Sequence, residues 1–155
     1  MPIEIERKFL LNDDSWRAGA DDGTKMRQGY FSGPERASIR VRIEGSNANI
    51  NIKSAEKGIH RLEFEYPIPM VDAEHMLDAL CEKPQVQKTR YRVKHENHVW
   101  EVDVFETDNA GLIVAEIELQ AEDEFFSQPS WLGKEVSDEH RYYNVCLVEH
   151  PYKSW

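Results

Sequence analysis

Residues 3–11 read IEIERKFLL, and this stretch predicts the fold. Apolar residues fill four of its odd positions, whereas Glu4, Glu6 and Lys8 stand between them. Side chains of a strand point alternately to its two faces, so the pattern predicts a β-strand with one apolar and one charged face. The same alternation recurs at 38–44, 48–53, 62–66, 88–94, 100–104 and 113–120. With a short strand at 27–32, the chain is predicted to be mostly β (α+β), with about eight antiparallel strands.

Turn-forming residues separate these stretches. They are Gly33-Pro34, Gly45-Ser46, Lys57-Gly58, Glu96-Asn97 and Asn109-Ala110-Gly111. Loops at 46–47 and 96–97 are short enough for hairpins. Two helices are predicted. The first has Asp72 as its N-cap and stops before Pro84, and a weaker one spans about 138–149.

Length and charge limit the possible functions. The 155 residues favour a single domain, 1–155. The net charge of −10 argues against general binding to nucleic acid or to a membrane surface, which requires a net basic face. No signal peptide or apolar span of about 18 residues is visible. Cys81 and Cys146 lack metal-ligand spacing and are expected to be buried, reduced thiols, as in the cytoplasm.

The charged face is unusual because its signs are sorted by strand. Acidic pairs occur at Glu4/Glu6, Glu63/Glu65 and Glu116/Glu118, and basic groups at Arg40/Arg42 and Lys88/Arg90/Arg92. Residues two apart on a strand project from one face, roughly 6–7 Å apart. Converging carboxylates suit Mg²⁺ or Mn²⁺, and converging Arg and Lys side chains suit phosphate oxygens. If the sheet closes with this face inward, the lumen becomes a charged tunnel.

The charged groups also match a known family. Glu4-Ile5-Glu6-Arg7-Lys8 matches the Glu-x-Glu-x-Lys hallmark of the CYTH, or triphosphate tunnel metalloenzyme, superfamily. The chain resembles this family over nearly its whole length, and most closely its short bacterial tripolyphosphatase-like members. Further matching segments are Arg40–Arg42, Ile52–Ser54, Glu63–Glu65, Lys88–Tyr91, Glu101–Asp103, Glu116–Glu118 and 133–144. The resemblance implies an eight-stranded antiparallel closed barrel, a tunnel with a few helices packed outside, and divalent-metal chemistry on triphosphates.

The resemblance assigns roles to the charged residues. The expected phosphate ligands are Lys8, Arg40, Arg42, Lys53, Lys88, Arg90 and Lys134. The expected metal ligands are Glu4, Glu6, Asp103, Glu116 and Glu118, with Glu63 and Glu65 as further ligands or as orienters of the basic residues. Lys8 and Tyr30 could act together as the base that activates water, or a metal-bound water could attack without one. The same charges could instead form a purely structural, salt-bridged lumen.

The expected reaction is hydrolysis of inorganic tripolyphosphate to pyrophosphate and phosphate, with Mg²⁺ or Mn²⁺ as cofactor. Alternatives within the same fold are hydrolysis of thiamine or nucleoside triphosphates and cyclisation of ATP. A non-catalytic polyphosphate-binding module would need the basic clusters but not three acidic pairs. The expected partner is a small-molecule triphosphate bound by a monomer or homodimer.

Overall fold

A computed structural model describes residues 3–31, 36–55 and 59–155. Two predicted turns lie outside these residues, Gly33-Pro34 and Lys57-Gly58. Ser32, the last residue of the strand predicted at 27–32, also lies outside them. The strands are β1 (Ile3–Leu11), β2 (Thr24–Tyr30), β3 (Ala37–Glu44), β4 (Asn47–Ser54), β5 (His60–Pro67), β6 (Val86–His95), β7 (His98–Phe105), β8 (Ile113–Leu119) and β9 (Leu132–Glu135). The α-helices are α1 (Met70–Ala79) and α2 (Asn144–Glu149). Short 3₁₀ helices lie at Ser15–Gly19, Thr107–Asn109, His140–Tyr142 and Tyr152–Ser154.

Eight of the strands close into an antiparallel barrel, as predicted. The hydrogen-bonded order is β5-β4-β3-β2-β6-β7-β8-β1, and β1 also pairs with β5. The closing contact joins Ile3 to Leu62 and Glu4 to Arg61. Beyond this contact the same edge of β1 pairs with β9, a short strand that stands outside the ring. Closure removes the sheet edges and encloses the charged face.

Two tight hairpins connect neighbouring strands of the barrel. Glu96-Asn97 connects β6 to β7 as predicted, and Glu96 has a positive φ of 54°. The loop predicted at 46–47 lies one residue earlier, at Gly45-Ser46. Gly45 has a φ of 60°, which a residue without Cβ adopts readily. The backbone requirement of the turn therefore places it at the glycine.

Both predicted helices form, but their ends differ from the prediction. Asp72 is not the N-cap of α1, because Pro69 stands at that position and Asp72 lies in the first turn, where a carboxylate favours the helix dipole. The region 138–149 divides into the 3₁₀ helix at His140–Tyr142 and α2, since Tyr143 adopts an extended conformation between them. Within the described residues, no helix is both long and apolar enough to cross a bilayer.

The outer face of the barrel is covered in two places. Behind β1, β6, β7 and β8 lies an aromatic cluster that includes Trp16, Trp100, Phe126 and Trp131. On the opposite side, α1 packs Leu77 and its neighbours against β3 and β4. Both cysteines are free, Cys81 buried just after α1 and Cys146 half-buried within α2. The covered strands thus have firm support behind the residues that face the lumen.

The third cluster closes one end of the barrel from within. Val86, Phe105 and Val114 continue the inward-facing rows of β6, β7 and β8 beyond their charged residues. Val145, Leu147 and Val148 of α2 pack against them. Whereas α1 lies outside the barrel, α2 therefore lies across its end. The lumen is charged along its length and apolar at this end.

Candidate functional site

The lumen is a cavity of about 240 Å³ with an ionic wall. Among the described residues, seven cations and eight carboxylates line it. The cations are Lys8, Arg40, Arg42, Lys53, Arg61, Lys88 and Arg90, and the carboxylates are Glu4, Glu6, Glu44, Glu63, Glu65, Glu101, Glu116 and Glu118. Six of the seven expected phosphate ligands are among these cations. Enclosure strengthens the attraction between such cations and an anion relative to bulk water.

The wall formed by β6 and β7 is organised around Asp103, whose side chain is 0% exposed. One carboxylate oxygen accepts a hydrogen bond from Lys88 Nζ at 2.7 Å, and the other from Arg90 Nε at 2.7 Å. Burial alone would raise the pKa of Asp103, but the charges of Arg90 and Lys88 hold it below its ordinary value. Both oxygens are thus engaged by cations. Asp103, expected as a metal ligand, thus lies in direct contact with Lys88 and Arg90.

A chain of side-chain amides links this wall to β2 and β3. Lys88 Nζ also donates to Asn144 Oδ1 at 2.8 Å. Gln28 donates to the same oxygen at 2.9 Å and accepts from Arg42 Nε at 2.9 Å. Burial lowers the pKa of Lys88 to about 7, with the charge of Asp103 opposing the shift. An incoming anion would favour the charged ammonium again.

The wall formed by β3, β4 and β5 is more loosely paired. Arg40 Nη2 lies 3.9 Å from Glu65, and the buried Nε of Arg40 has no hydrogen-bond partner. Lys53 Nζ lies 2.8 Å from Glu4 and 3.7 Å from Glu63. Glu63 and Glu65 also accept hydrogen bonds from the amide of Asn51, at 2.8 and 3.1 Å. Glu63 and Glu65 thus contact the amide of Asn51 and lie near Lys53 and Arg40, respectively.

Glu6 and Glu116 meet on adjacent strands and share a hydrogen bond. Burial and the charge of Glu116 raise the pKa of Glu6 well above its ordinary value. Burial opposes ionisation of Glu116 too, but the charge of Lys8 and the hydrogen bond from Glu6 hold its pKa well below the ordinary value. The two carboxyl groups therefore lie side by side in the buried wall, an arrangement that could supply two oxygen ligands to a cation.

This carboxyl pair fits a hard divalent cation that brings its other ligands with it. In the described ranges, no three His, Cys, Asp or Glu side chains are grouped closely enough to hold one metal ion. Mg²⁺ is commonly bound through one or two carboxylates, with water and substrate phosphates completing its octahedron. Glu4 and Glu118 lie beside the pair on the same two strands and line the same cavity.

The expected pair of Lys8 and Tyr30 is not formed, although both residues line the cavity. Lys8 Nζ donates to the carbonyl oxygen of Tyr142 at 3.3 Å. The hydroxyl of Tyr30 accepts from Gln28 Nε2 at 3.3 Å. Among the described residues, no hydrogen bond joins Lys8 to Tyr30.

Lys134 does not join the other expected phosphate ligands. It lies on β9, outside the ring, with its side chain 71% exposed and its Nζ 3.1 Å from Glu139. This strand was not predicted, so sequence reasoning could not place this lysine outside the lumen. Its role as a phosphate ligand stays an expectation that this position does not support.

Sequence reasoning missed several residues of the site. Arg61 stands two residues before Glu63 on β5, so its alternation already placed it on the inner face. Gln28, Asn51 and Asn144 were missed because uncharged amides carry no pattern that distinguishes a lumen from a surface. Tyr143 lines the cavity from the segment before α2, where neither strand nor helix periodicity applies.

A closed antiparallel barrel with an ionic lumen, sealed at one end by a helix, defines a β-tunnel protein. The sequence profile of the CYTH domain matches residues 2–150, and the chain belongs to the CYTH-domain family.

Three relatives show how far the similarity extends. An inorganic triphosphatase of Acetivibrio thermocellus is 43% identical over 155 residues, covering 100% of this chain and 99% of that protein. An inorganic triphosphatase of Nitrosomonas europaea is 36% identical over 149 residues, covering 94% and 96%. A crystal structure of an inorganic triphosphatase superposes with a TM-score of 0.65 at 32% identity, covering 93% of this chain and 96% of that one. The similarity thus spans the entire tunnel.

Proposed function

We propose that this protein hydrolyses inorganic tripolyphosphate to pyrophosphate and phosphate, with Mg²⁺ or Mn²⁺ as cofactor. The observation that carries the proposal is the enclosed cavity lined by the seven cations described above together with the carboxyl pair Glu6 and Glu116. A highly charged phosphate chain matches the cations, and its metal ion matches the carboxyl pair. The names of the two similar triphosphatases support the same reaction.

The cations have two tasks in this proposal. Arg40, Arg42, Lys88 and Arg90 bind the phosphate oxygens and stabilise the charge that develops on the leaving pyrophosphate. Asp103 fixes Lys88 and Arg90 in place before the substrate arrives. Because these side chains are already positioned, little reorganisation remains to be done during the reaction.

Glu6 and Glu116 are the proposed metal ligands, with Glu4 and Glu118 beside them. When bound, a divalent cation supplies charge neutralisation and polarises a phosphoryl oxygen. Since Lys8 and Tyr30 do not form a hydrogen-bonded pair, we propose Lys8 as a ligand of the phosphate chain rather than as half of a shared base. The proposed setting is the cytoplasm, with a small-molecule substrate and a monomer or homodimer.

Phosphate release by the purified protein tests the proposal. Tripolyphosphate, thiamine triphosphate and ATP are compared with Mg²⁺, with Mn²⁺ and with EDTA. We expect rapid release from tripolyphosphate alone, abolished by EDTA and reduced about a hundredfold or more in Glu116→Gln. Glu122→Gln, an exposed carboxylate outside the lumen, is the matched control and should retain full activity.

Two results would replace the proposal with an alternative. Cyclic AMP and pyrophosphate from ATP would indicate a cyclase. Tripolyphosphate binding that survives EDTA, with no release from any substrate under any metal, would indicate a non-catalytic binding module.

A further inference from the structure

Two cations of the lumen differ from the other five in their partners. Arg40, Arg42, Lys53, Lys88 and Arg90 each have a carboxylate oxygen within 4.0 Å. Within the described part of the chain, Lys8 and Arg61 have none at that distance. Both are instead held against the ring of Tyr143. Lys8 Nζ lies 5.5 Å and Arg61 Cζ 4.5 Å from its centroid.

The ring of Tyr143 is a fixed platform. The residue is 5% exposed, and its hydroxyl donates to the carbonyl oxygen of Ser137 at 2.5 Å. Tyr143 is the extended residue between the 3₁₀ helix at His140–Tyr142 and α2, and it lies at the closed end of the barrel. A cation–π contact orients a cation without neutralising its charge. Lys8 and Arg61 are therefore held in position without a carboxylate oxygen of the described residues in direct contact.

We propose that Lys8 and Arg61, mounted on Tyr143, form a subsite for the terminal phosphate of a polyphosphate chain, and that Arg61 is a substrate-binding residue. The identity of the chain rests on the proposed function. A terminal phosphate carries more charge than an internal one and suits two cations that have no carboxylate among the described residues in direct contact, and the guanidinium offers two parallel donors to its oxygens. Arg40, which is 6% exposed and has an unpartnered Nε, lines the same cavity.

The closed end also limits what this phosphate can carry. Beyond Arg61 and Tyr143 lies a separate space of only about 20 Å³, bordered by His140 and Cys146. Such a volume holds about one water molecule. That space has no room for an organic group attached to the phosphate on the side of His140 and Cys146. Arg61 lies on β5, across the ring from β6 and β7. We therefore expect a chain of three phosphates to contact Arg61 and the cations of the β6–β7 wall together, and pyrophosphate held by that wall not to contact Arg61.

Direct binding measurements on Arg61→Gln test this subsite. Calorimetric titration of the protein with each ligand in the presence of EDTA measures binding affinity, because the proposed reaction cannot proceed without its metal ion. We expect the Kd for tripolyphosphate to rise about tenfold or more, and the Kd for pyrophosphate to change less than about threefold. Arg141→Gln is the matched control, since Arg141 also stacks on aromatic rings, Tyr142 and Trp155, but is exposed outside the lumen. It should change neither affinity.

The outcomes separate this inference from the proposed function. Equal weakening of both ligands, or of neither, in Arg61→Gln would overturn the subsite, as would a wild-type protein that does not bind tripolyphosphate. If Arg61→Gln fails to fold, Arg61→Lys is measured in the same way and should also discriminate between the two ligands. Wild-type protein that binds tripolyphosphate with this dependence on Arg61 but releases no phosphate would retain the subsite and refute the hydrolase.

Discussion

The two walls of the tunnel carry similar side chains but hold them differently. On β6 and β7, Lys88 and Arg90 lie 2.7 Å from a carboxylate that is completely buried. On β3 and β5, Arg40 lies 3.9 Å from Glu65, whose side chain is 49% exposed. The first wall is backed by the cluster around Trp100, whereas Phe64 and Tyr66 on the outer face of β5 are exposed.

The difference indicates a division of labour. Cations on the β6–β7 wall are neutralised and fixed by the protein itself, so they contribute to stability as well as to binding. On the β3–β5 wall, Arg40 keeps a buried Nε that has no hydrogen-bond partner within the described ranges and that an anion can use. A buried ion pair that loses one partner is strongly destabilising, whereas a partly exposed pair contributes little. The two walls should therefore respond differently to substitution.

The largest expected effect is on the β6–β7 wall. Asp103→Asn leaves the buried Lys88 without its counter-charge and removes the carboxylate nearest to Arg90, and we expect the free energy of unfolding to fall by about 3–5 kcal/mol. Urea denaturation measures this directly. The matched change on the other wall, Glu65→Gln, should cost no more than about 1 kcal/mol because that carboxylate is half exposed. Equal losses in the two variants would contradict the contrast between the walls.

The second prediction sharpens the contrast by separating binding from stability. Arg40→Gln removes a guanidinium whose Nε has no partner, so we expect the free energy of unfolding to change by less than about 1 kcal/mol. The kcat/KM for tripolyphosphate should nevertheless fall about a hundredfold. Arg36→Gln, an exposed residue just before β3, is the control for both measurements. A loss of stability comparable to that of Asp103→Asn would show that both walls are built alike.

The smallest effect is expected outside both walls, where β1 meets β9. Arg7 donates two hydrogen bonds to Glu135, at 2.9 and 2.6 Å. The hydrogen bond from Arg7 lowers the pKa of Glu135, despite opposition from partial burial. Glu135→Gln should cost about 0.5–1 kcal/mol at neutral pH, since solvent screens this partly exposed pair.

The stability difference between wild type and Glu135→Gln should depend on pH because the pKa of Glu135 is lowered in the folded state. A carboxylate with a lowered folded pKa adds stability above its unfolded pKa of about 4.3 and loses it as pH falls through the folded value. The Tm values of wild type and Glu135→Gln should therefore differ at pH 7 and converge in acid. A difference that persists below pH 3 would assign the effect to packing instead.

Alternation predicted most of the fold and the composition of the lumen. The strands could be found because each carries apolar and charged residues in strict turn, and closure then placed all the charged rows inside. Alternation could not predict the pairing register of the strands, which decides which charged residues lie opposite each other. Asp103 and Glu116 look equivalent in sequence, but Asp103 lies opposite Arg90, whereas Glu116 lies opposite Lys8 and beside Glu6. Asp103 therefore holds two cations, whereas Glu116 forms a carboxyl pair with Glu6.

The unpredicted elements lack such periodicity. β9 has only four residues, LGKE, too few to show alternation. The helical pattern of 138–149 predicted a helix but not that α2 would lie across the end of the barrel, because the partners of α2 come from β6, β7 and β8. Tertiary contacts decide both features.

The position of β1 in the barrel has a consequence for how the protein acquires activity. This first strand pairs with β8 and β9, and its Arg7 contacts Glu135 across 128 residues of sequence. Contacts of such high contact order form slowly, because loop-closure entropy must be overcome before they stabilise anything. Glu6 and Lys8 cannot meet Glu116 until this happens. A nascent chain therefore remains inactive until nearly all of it has been synthesised, and refolded protein recovers activity only in its slowest folding phase.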